Sequence, residues 1–164
     1  MKTIGLISDT HSFLHPSVME YLSKCDEIWH AGDIGDIETA KALASLKSFR
    51  AVYGNIDDGV VRSFYPLYQD FFCEDIRVLI LHIGGYPGKY NKQAKELINE
   101  LKPGLFISGH SHILKVINDP KNNLLHLNPG AAGKSGFHNL ITAMKFVVDG
   151  KNIRDLEILE IDKK

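Results

Sequence analysis

The sequence predicts an α/β fold in which two mixed sheets pack against each other between outer helices. Two observations predict it. The first half alternates short apolar runs with amphipathic stretches in the order β-α-β-α-β, the mark of a parallel or mixed sheet. The second half carries two hairpin signals between apolar runs, Pro120-Lys121-Asn122-Asn123 and Asp149-Gly150-Lys151-Asn152.

Each element has its own local warrant. Thr3 to Ser8 is continuously apolar enough to read as a buried strand. Pro16 to Lys24 reads as a short helix, with Pro in its first turn and Val18, Met19 and Leu22 on one side. Glu27 to His30 is a second strand. Asp36 can cap a helix running to Leu46, whose inner face is Ile37, Ala40, Leu43, Ala44 and Leu46. Phe49 to Tyr53 is the third strand. Tyr68 to Glu74 and Ile76 to His82 are hairpin partners, and Asn91 to Leu101 is a helix stopped by Pro103. Leu105 to Ser108 is another strand. Val116 to Asn118 pairs with Leu124 to Leu127, and Ala143 to Val148 pairs with Ile153 to Ile161.

Bulk properties narrow the function classes. The 164 residues are 44% hydrophobic and 24% charged, which suits one globular domain over residues 1–164. The formal net charge of -1 gives no basic field for nucleic acid or an anionic membrane. The N-terminal apolar run is too short for a signal peptide, and no stretch approaches the ~20 apolar residues of a membrane span. A cytoplasmic protein is the expectation. Cys25 and Cys73 are single and far apart, which excludes a disulfide framework and a thiolate zinc site.

The residues that follow the strands carry the chemistry. They are Ser8-Asp9-Thr10-His11, His30-Ala31-Gly32-Asp33, Gly54-Asn55-Ile56-Asp57, His82, and Gly109-His110-Ser111-His112. Ligands of open α/β sheets bind outside the carboxyl ends of strands. Any one of these segments is a turn residue, a helix cap or a satisfied histidine as readily as a ligand. Five together make Asp9, His11, Asp33, Asn55, His82, His110 and His112 a set of seven candidate ligands. Imidazole, carboxylate and amide oxygen without thiolate suit Mn first, with Ni, Fe, Zn or Mg as alternatives. Seven donors exceed one tetrahedral ion and suit two divalent ions that share a carboxylate.

In this order and spacing, the motifs resemble the calcineurin-like metallophosphoesterase superfamily. The short chain and Asn128-Pro129-Gly130 are similar to its small YfcE-like phosphodiesterase branch. The resemblance runs from Thr3 to about Gly130 and implies a four-layer α/β/β/α sandwich. It implies that Asp9, His11 and His112 bind one metal, that Asn55, His82 and His110 bind the other, and that Asp33 bridges them. It further implies a phosphoesterase acting on phosphodiester bonds of small soluble substrates, with direct attack by metal-bound hydroxide and no covalent intermediate. The expected catalytic set is Asp9, Asp33, Asn55 and Asp57. The alternative is a non-catalytic metal-binding scaffold of the same fold, retromer-subunit-like, and a nuclease subunit is a weaker third. A homodimer or higher homo-oligomer is expected from the resemblance.

One departure stands out. Many superfamily members follow the ligand Asn with a His that protonates the leaving group, whereas this chain has Ile56. Asp57 is then expected to orient a ligand, to serve as an acid if its pKa is raised, or to cap the loop Asp57-Asp58-Gly59. His30 is either a donor behind a ligand or a core histidine bonded to backbone. His15, Ser12 and His138 are candidates for substrate contact, with surface exposure as the plainer reading. Tyr86, Lys89 and Tyr90 either pack around the second metal or wall a pocket. His126 is read as structural. The Gly- and Ala-rich stretch 130–138 is a loop without P-loop spacing.

Overall fold

The computed structural model describes residues 1–164. It contains β1 (Lys2–Ile7), α1 (Pro16–Leu22), β2 (Glu27–His30), α2 (Ile37–Leu46), β3 (Ser48–Ala51), α3 (Gly59–Phe64), β4 (Tyr68–Cys73), β5 (Ile76–Leu81), α4 (Lys92–Leu101), β6 (Leu105–Ile107), β7 (Leu114–Asp119), β8 (Leu124–Pro129), β9 (Leu140–Asp149) and β10 (Asn152–Asp162). The strands form two five-stranded sheets, in the orders β10-β9-β1-β2-β3 and β4-β5-β6-β8-β7.

Period-two alternation explains the layering. In β1, Ile4 and Leu6 enter the core between the sheets, while Ile7 joins the cluster under α1 and α2. In β5, Val78 and Ile80 meet the same inter-sheet core, and Leu79 and Leu81 face α4. In β6, Leu105 and Ile107 point inward and Phe106 outward. The middle strands of the two sheets, β1 and β6, bury apolar side chains on both faces, so helices must cover the outer ones. Trp29 joins the sheets, stacking edge-on with Phe71 at 5.1 Å and Phe146 at 5.9 Å. Each such buried side chain stabilises the fold by about 1.5–3 kcal/mol.

Asp36 caps α2 as the sequence reads it, whereas Asn91, read as the first helical residue, is the cap of α4. Asp36 and Asn91 accept N–H bonds from Thr39 and Ala94, both at 2.8 Å, and so start α2 and α4. Several details differ from expectation: α1 stops at Leu22 rather than Lys24, and β7 and β9 extend beyond their expected ends to Leu114–Asp119 and Leu140–Asp149. Ala44 is exposed, because the buried stripe of α2 is confined to Thr39, Ala40 and Leu43. The six-residue α3, capped by Asp58, is too short to show a helical period in sequence. The first, third, fifth and sixth strands end one or two residues before Ser8, Tyr53, His82 and Ser108, since the chain leaves extended geometry there.

Strands β1, β2 and β3 run parallel, as do β5, β6 and β8. In each sheet, the carboxyl ends of its parallel strands therefore lie at one edge. No helix is long and apolar enough to cross a membrane.

Candidate metal centre

The loops after β1, β2, β3, β5 and β6 converge. Asp9, His11 and His112 bring ligand atoms within 4.8 Å of one another, as do Asp33, His82 and His110. Asp33 joins the two groups: its Oδ2 lies 3.4 Å from His11 Nε2 and 3.3 Å from His82 Nε2. Asn55 Oδ1 lies 3.1 Å from His82 Nε2 and 3.0 Å from His110 Nδ1, which places its amide in the second group. Asp9 Oδ1 faces His112 Nε2 at 3.2 Å. All seven candidate ligands therefore meet in one cleft, with Asp33 at its centre.

The surrounding bonds aim these donors. Asp9 Oδ2 accepts from Ser8 Oγ at 2.6 Å and from His110 N at 3.1 Å, which leaves Oδ1 for the cleft. Asp33 Oδ1 accepts from Ile56 N at 3.0 Å, which leaves Oδ2. His82 Nδ1 donates to Ala31 O at 2.7 Å, so its Nε2 presents a lone pair. A Cβ on Gly54 would collide with Asp33, so only glycine lets the β3 loop approach that carboxylate.

Asp9 Oδ1 and His11 Nε2 are buried atoms with no hydrogen-bond partner. Buried polar atoms are almost always paired, and two orphans facing one point fit a pair of cations. Two carboxylates, four imidazoles and one amide, with no thiolate, are hard-to-borderline donors suited to divalent first-row ions. The residues present thus fit the metals the motifs imply.

The electrostatics agree. Burial pushes the Asp33 carboxyl up, but the His82 hydrogen bond and charge outweigh it and bring its pKa to about 2. For Asp9, burial is likewise outweighed by the His112 bond, the His82 charge and the Ser8 bond, so its carboxyl lies below the usual range. Burial opposes charge on His82, yet the Asp33 bond and the two carboxylates raise its pKa. In the metal-free protein His82 therefore competes for a proton, and a metal must displace it.

Backbone geometry marks the same residues. Asp9, His11, Asp33, His110 and His112 have φ between 47° and 71°. Left-handed backbone costs a non-glycine residue roughly 1–2 kcal/mol. Ladder bonds across the loops hold it: Asp9 N to Gly32 O at 2.9 Å, His11 N to Asp33 O at 3.1 Å, and Gly109 N to His82 O at 3.0 Å.

The other expected residues fall as follows. Asp57 is buried, and its carboxylate accepts from Gly54 N at 2.7 Å, Gly35 N at 2.8 Å and Ile34 N at 3.1 Å. Both oxygens are committed to backbone, so Asp57 braces the loops of Asp33 and Asn55, and neither oxygen is free for acid work. The cap on the following helix belongs to Asp58. His30 is fully buried and neutral, its pKa pushed by burial to about 3. Its Nδ1 accepts from Gly32 N at 3.0 Å, so Nε2 donates to Thr10 Oγ1 at 2.9 Å, tying the β1 and β2 loops together. His15 caps α1, accepting from Ser17 N at 3.0 Å. Tyr90 is buried against α4 and donates to Asp119 Oδ2 at 2.8 Å, so it forms no wall of the cleft. His126 is buried and donates from Nδ1 to Phe106 O at 3.1 Å.

Three supports were not singled out from sequence for these roles. Ser8 is adjacent to a ligand, which was its only signal. Asn128 donates to Gly109 O at 3.1 Å and Ser111 Oγ at 3.2 Å, shaping the loop between the last two histidines. Arg62, on the unforeseen α3, donates to Asp57 O at 2.7 Å and Asn55 O at 3.3 Å.

Comparison with known proteins points the same way. The calcineurin-like phosphoesterase superfamily domain profile matches residues 1–151. A comparison by sequence with curated proteins finds no match. Among solved structures, Vps29 from Chaetomium thermophilum is similar over 100% of both chains, with TM-score 0.76 and 18% identity. A novel archaeal phosphodiesterase covers 96% of this chain and 99% of its own, with TM-score 0.75 and 20% identity. Vps29 from Entamoeba histolytica in complex with zinc covers 99% of each chain, with TM-score 0.73 and 16% identity. At these identities the likeness is one of fold.

Proposed function

The chain belongs to the calcineurin-like phosphoesterase superfamily, and on that premise we propose that it is a metal-dependent phosphodiesterase acting on small soluble substrates. The observation that carries this reading is Asp33 Oδ2, which lies between His11 Nε2 at 3.4 Å and His82 Nε2 at 3.3 Å and so joins two complete donor groups. Asp9, His11 and His112 would hold one ion, Asn55, His82 and His110 the other, and Asp33 both. Two divalent ions, Mn by preference, would supply Lewis acidity and water of lowered pKa in a cleft whose protein charges are only two carboxylates.

The chain's own groups set the rest. Ala31 O fixes the His82 tautomer, Ser8 and His110 N hold Asp9, and Ile56 N holds Asp33. Asn55 contributes oxygen without negative charge, which keeps the cleft attractive to an anionic ester. No side chain at position 56 can protonate a leaving group, and Asp57 is occupied. Esters with good leaving groups should therefore react fastest.

The test is hydrolysis of bis(p-nitrophenyl) phosphate and p-nitrophenyl phosphate by chelated, then metal-reconstituted protein, with bound metal counted. Diester turnover that depends on added Mn and two bound ions is expected. A second reading, a non-catalytic metal-binding scaffold, is favoured by the full-length likeness to Vps29. No turnover with Mn, Ni, Fe, Zn or Mg would select it.

A further inference from the structure

The loop between β8 and β9 supplies no ligand, yet one of its residues stands against one. The His138 ring lies edge-on to that of His112, with centroids 5.1 Å apart and planes at 89°. His138 Nε2 donates to Gly133 O at 2.8 Å, so Nδ1 is a bare lone pair. That Nδ1 is buried and has no hydrogen-bond partner.

Gly136 shows how closely the two rings approach. Its φ is +121°, and a Cβ there would collide with His112 Nδ1 and come within 3.2 Å of His138 Nδ1. The two Nδ1 atoms thus flank a single glycine. Any side chain at that position would wedge them apart.

His112 needs a partner on this side. Its Nε2 faces Asp9 at 3.2 Å, so its Nδ1 carries the proton once Nε2 ligates. Ligating histidines almost always donate that second N–H to a fixed acceptor, and His82 does so to Ala31 O. No carbonyl or carboxylate plays this part for His112. The unpartnered lone pair of His138 belongs to the ring packed edge-on against that of His112, and the same Gly136 lies against both Nδ1 atoms. The loop that carries His138 is anchored from the residue after β10: Lys163 Nζ donates to Gly136 O at 2.7 Å and His138 O at 3.0 Å, and Lys163 N to Asn139 O at 3.2 Å.

We propose that His138 is a positioning residue for His112. Its Nδ1 accepts the His112 Nδ1–H when the first metal position is filled, and this fixes the tautomer and ring plane that aim His112 Nε2 at the cleft. Gly136 makes room for the contact, and Lys163 holds the loop in place. The proposal rests on the metal-binding reading above.

The experiment is a metal titration of chelated full-length protein, with Mn as the probe, for wild type, His138→Phe, His138→Gln and Lys163→Met. His138→Phe keeps an aromatic ring and removes the acceptor. It is expected to weaken one of two binding steps by about 10–100-fold, leaving the other within about threefold. His138→Gln restores an acceptor and should recover part of the loss, which a merely space-filling role would not explain. Lys163→Met touches neither ring and should weaken the same step severalfold; it decides the matter if His138→Phe does not fold. Wild-type-like titration by His138→Phe, or by Lys163→Met in that case, overturns the proposal while the metal centre stands. A wild-type chain that binds no metal overturns both.

Discussion

Asp57→Asn separates a brace from a general acid. The Asp57 carboxylate is buried and receives three backbone N–H groups, two on Oδ2 and one on Oδ1. An asparagine can keep its oxygen against Ile34 N and Gly54 N. Its amide nitrogen then faces Gly35 N–H, donor against donor. One hydrogen bond to a charged acceptor is lost, about 1.5–3 kcal/mol, and an unsatisfied donor is added, so the total is about 3 kcal/mol. For a domain of this size each kcal/mol moves Tm by about 2–4 °C, which predicts a fall of about 6–12 °C. Calorimetry on metal-free and metal-loaded protein reads this directly. Turnover of a nitrophenyl diester and an alkyl diester reads the chemistry, and both kcat/KM values should fall by the same factor as the loops of Asp33 and Asn55 loosen. A Tm within about 2 °C of wild type, with a selective loss on the alkyl ester, would refute the brace and restore the acid.

Asn55→Asp should retain both metals but lose turnover, because a carboxylate cancels charge that the amide leaves; Asn55→Ala should lose mainly one ion, and metal content against activity tells them apart. Loading with Mn at 100 times its Kd should stabilise the fold by about 2.7 kcal/mol per site and EDTA should reverse it, read as a concentration-dependent Tm. His110 is exposed and left-handed, so His110→Gly should be more stable than His110→Ala by about 1–2 kcal/mol in metal-free urea melts, although both abolish the ligand. His126, with its pKa pushed by burial to about 4, is neutral in the fold and titrates near 6.5 when unfolded. Its stabilisation is complete above about pH 6.5 and is lost as pH falls toward 4. Between pH 7 and pH 5 wild type should therefore lose about 2 kcal/mol more than His126→Phe, and parallel pH profiles would contradict this.

Much of the fold is legible because its strands are buried on both faces. β6 is apolar throughout, β1 from Ile4 and β5 from Val78 are continuously buried to their ends, and turn residues bound the β7–β8 and β9–β10 hairpins. Sheet order is not local information. Nothing in residues 140–149 indicates that β9 pairs antiparallel with β1 and so carries the C-terminal hairpin into the first sheet. The ligands are legible as residue types at strand ends. Their division into two groups came from family resemblance, and the geometry that relates them is made by Asp33, whose two neighbours come from different sheets. The braces were legible only in part: His30 and Asp57 stand out by position with several roles open, but the backbone groups that they and Asn128 bind are named by no sequence pattern.

The positions where strand reading stops early are also where the site begins. Five candidate ligands hold left-handed backbone, at a summed cost on the order of 5–10 kcal/mol, which rivals the net stability of a whole domain. Such residues persist only where surrounding structure over-determines them. Here the determinants can be named: Asp57 across three N–H groups, His30 through Thr10, Asn128 under the His110 loop, and Ser8 beneath Asp9. None of these bonds improves the inter-sheet core. They keep carboxylate and imidazole lone pairs pointed at one another, an arrangement that repels itself without a cation or proton between. The fold thus spends stability on holding ligand atoms in an order that a cation or a shared proton relieves, and this is why the cleft, rather than the core, is where local preference and native structure disagree.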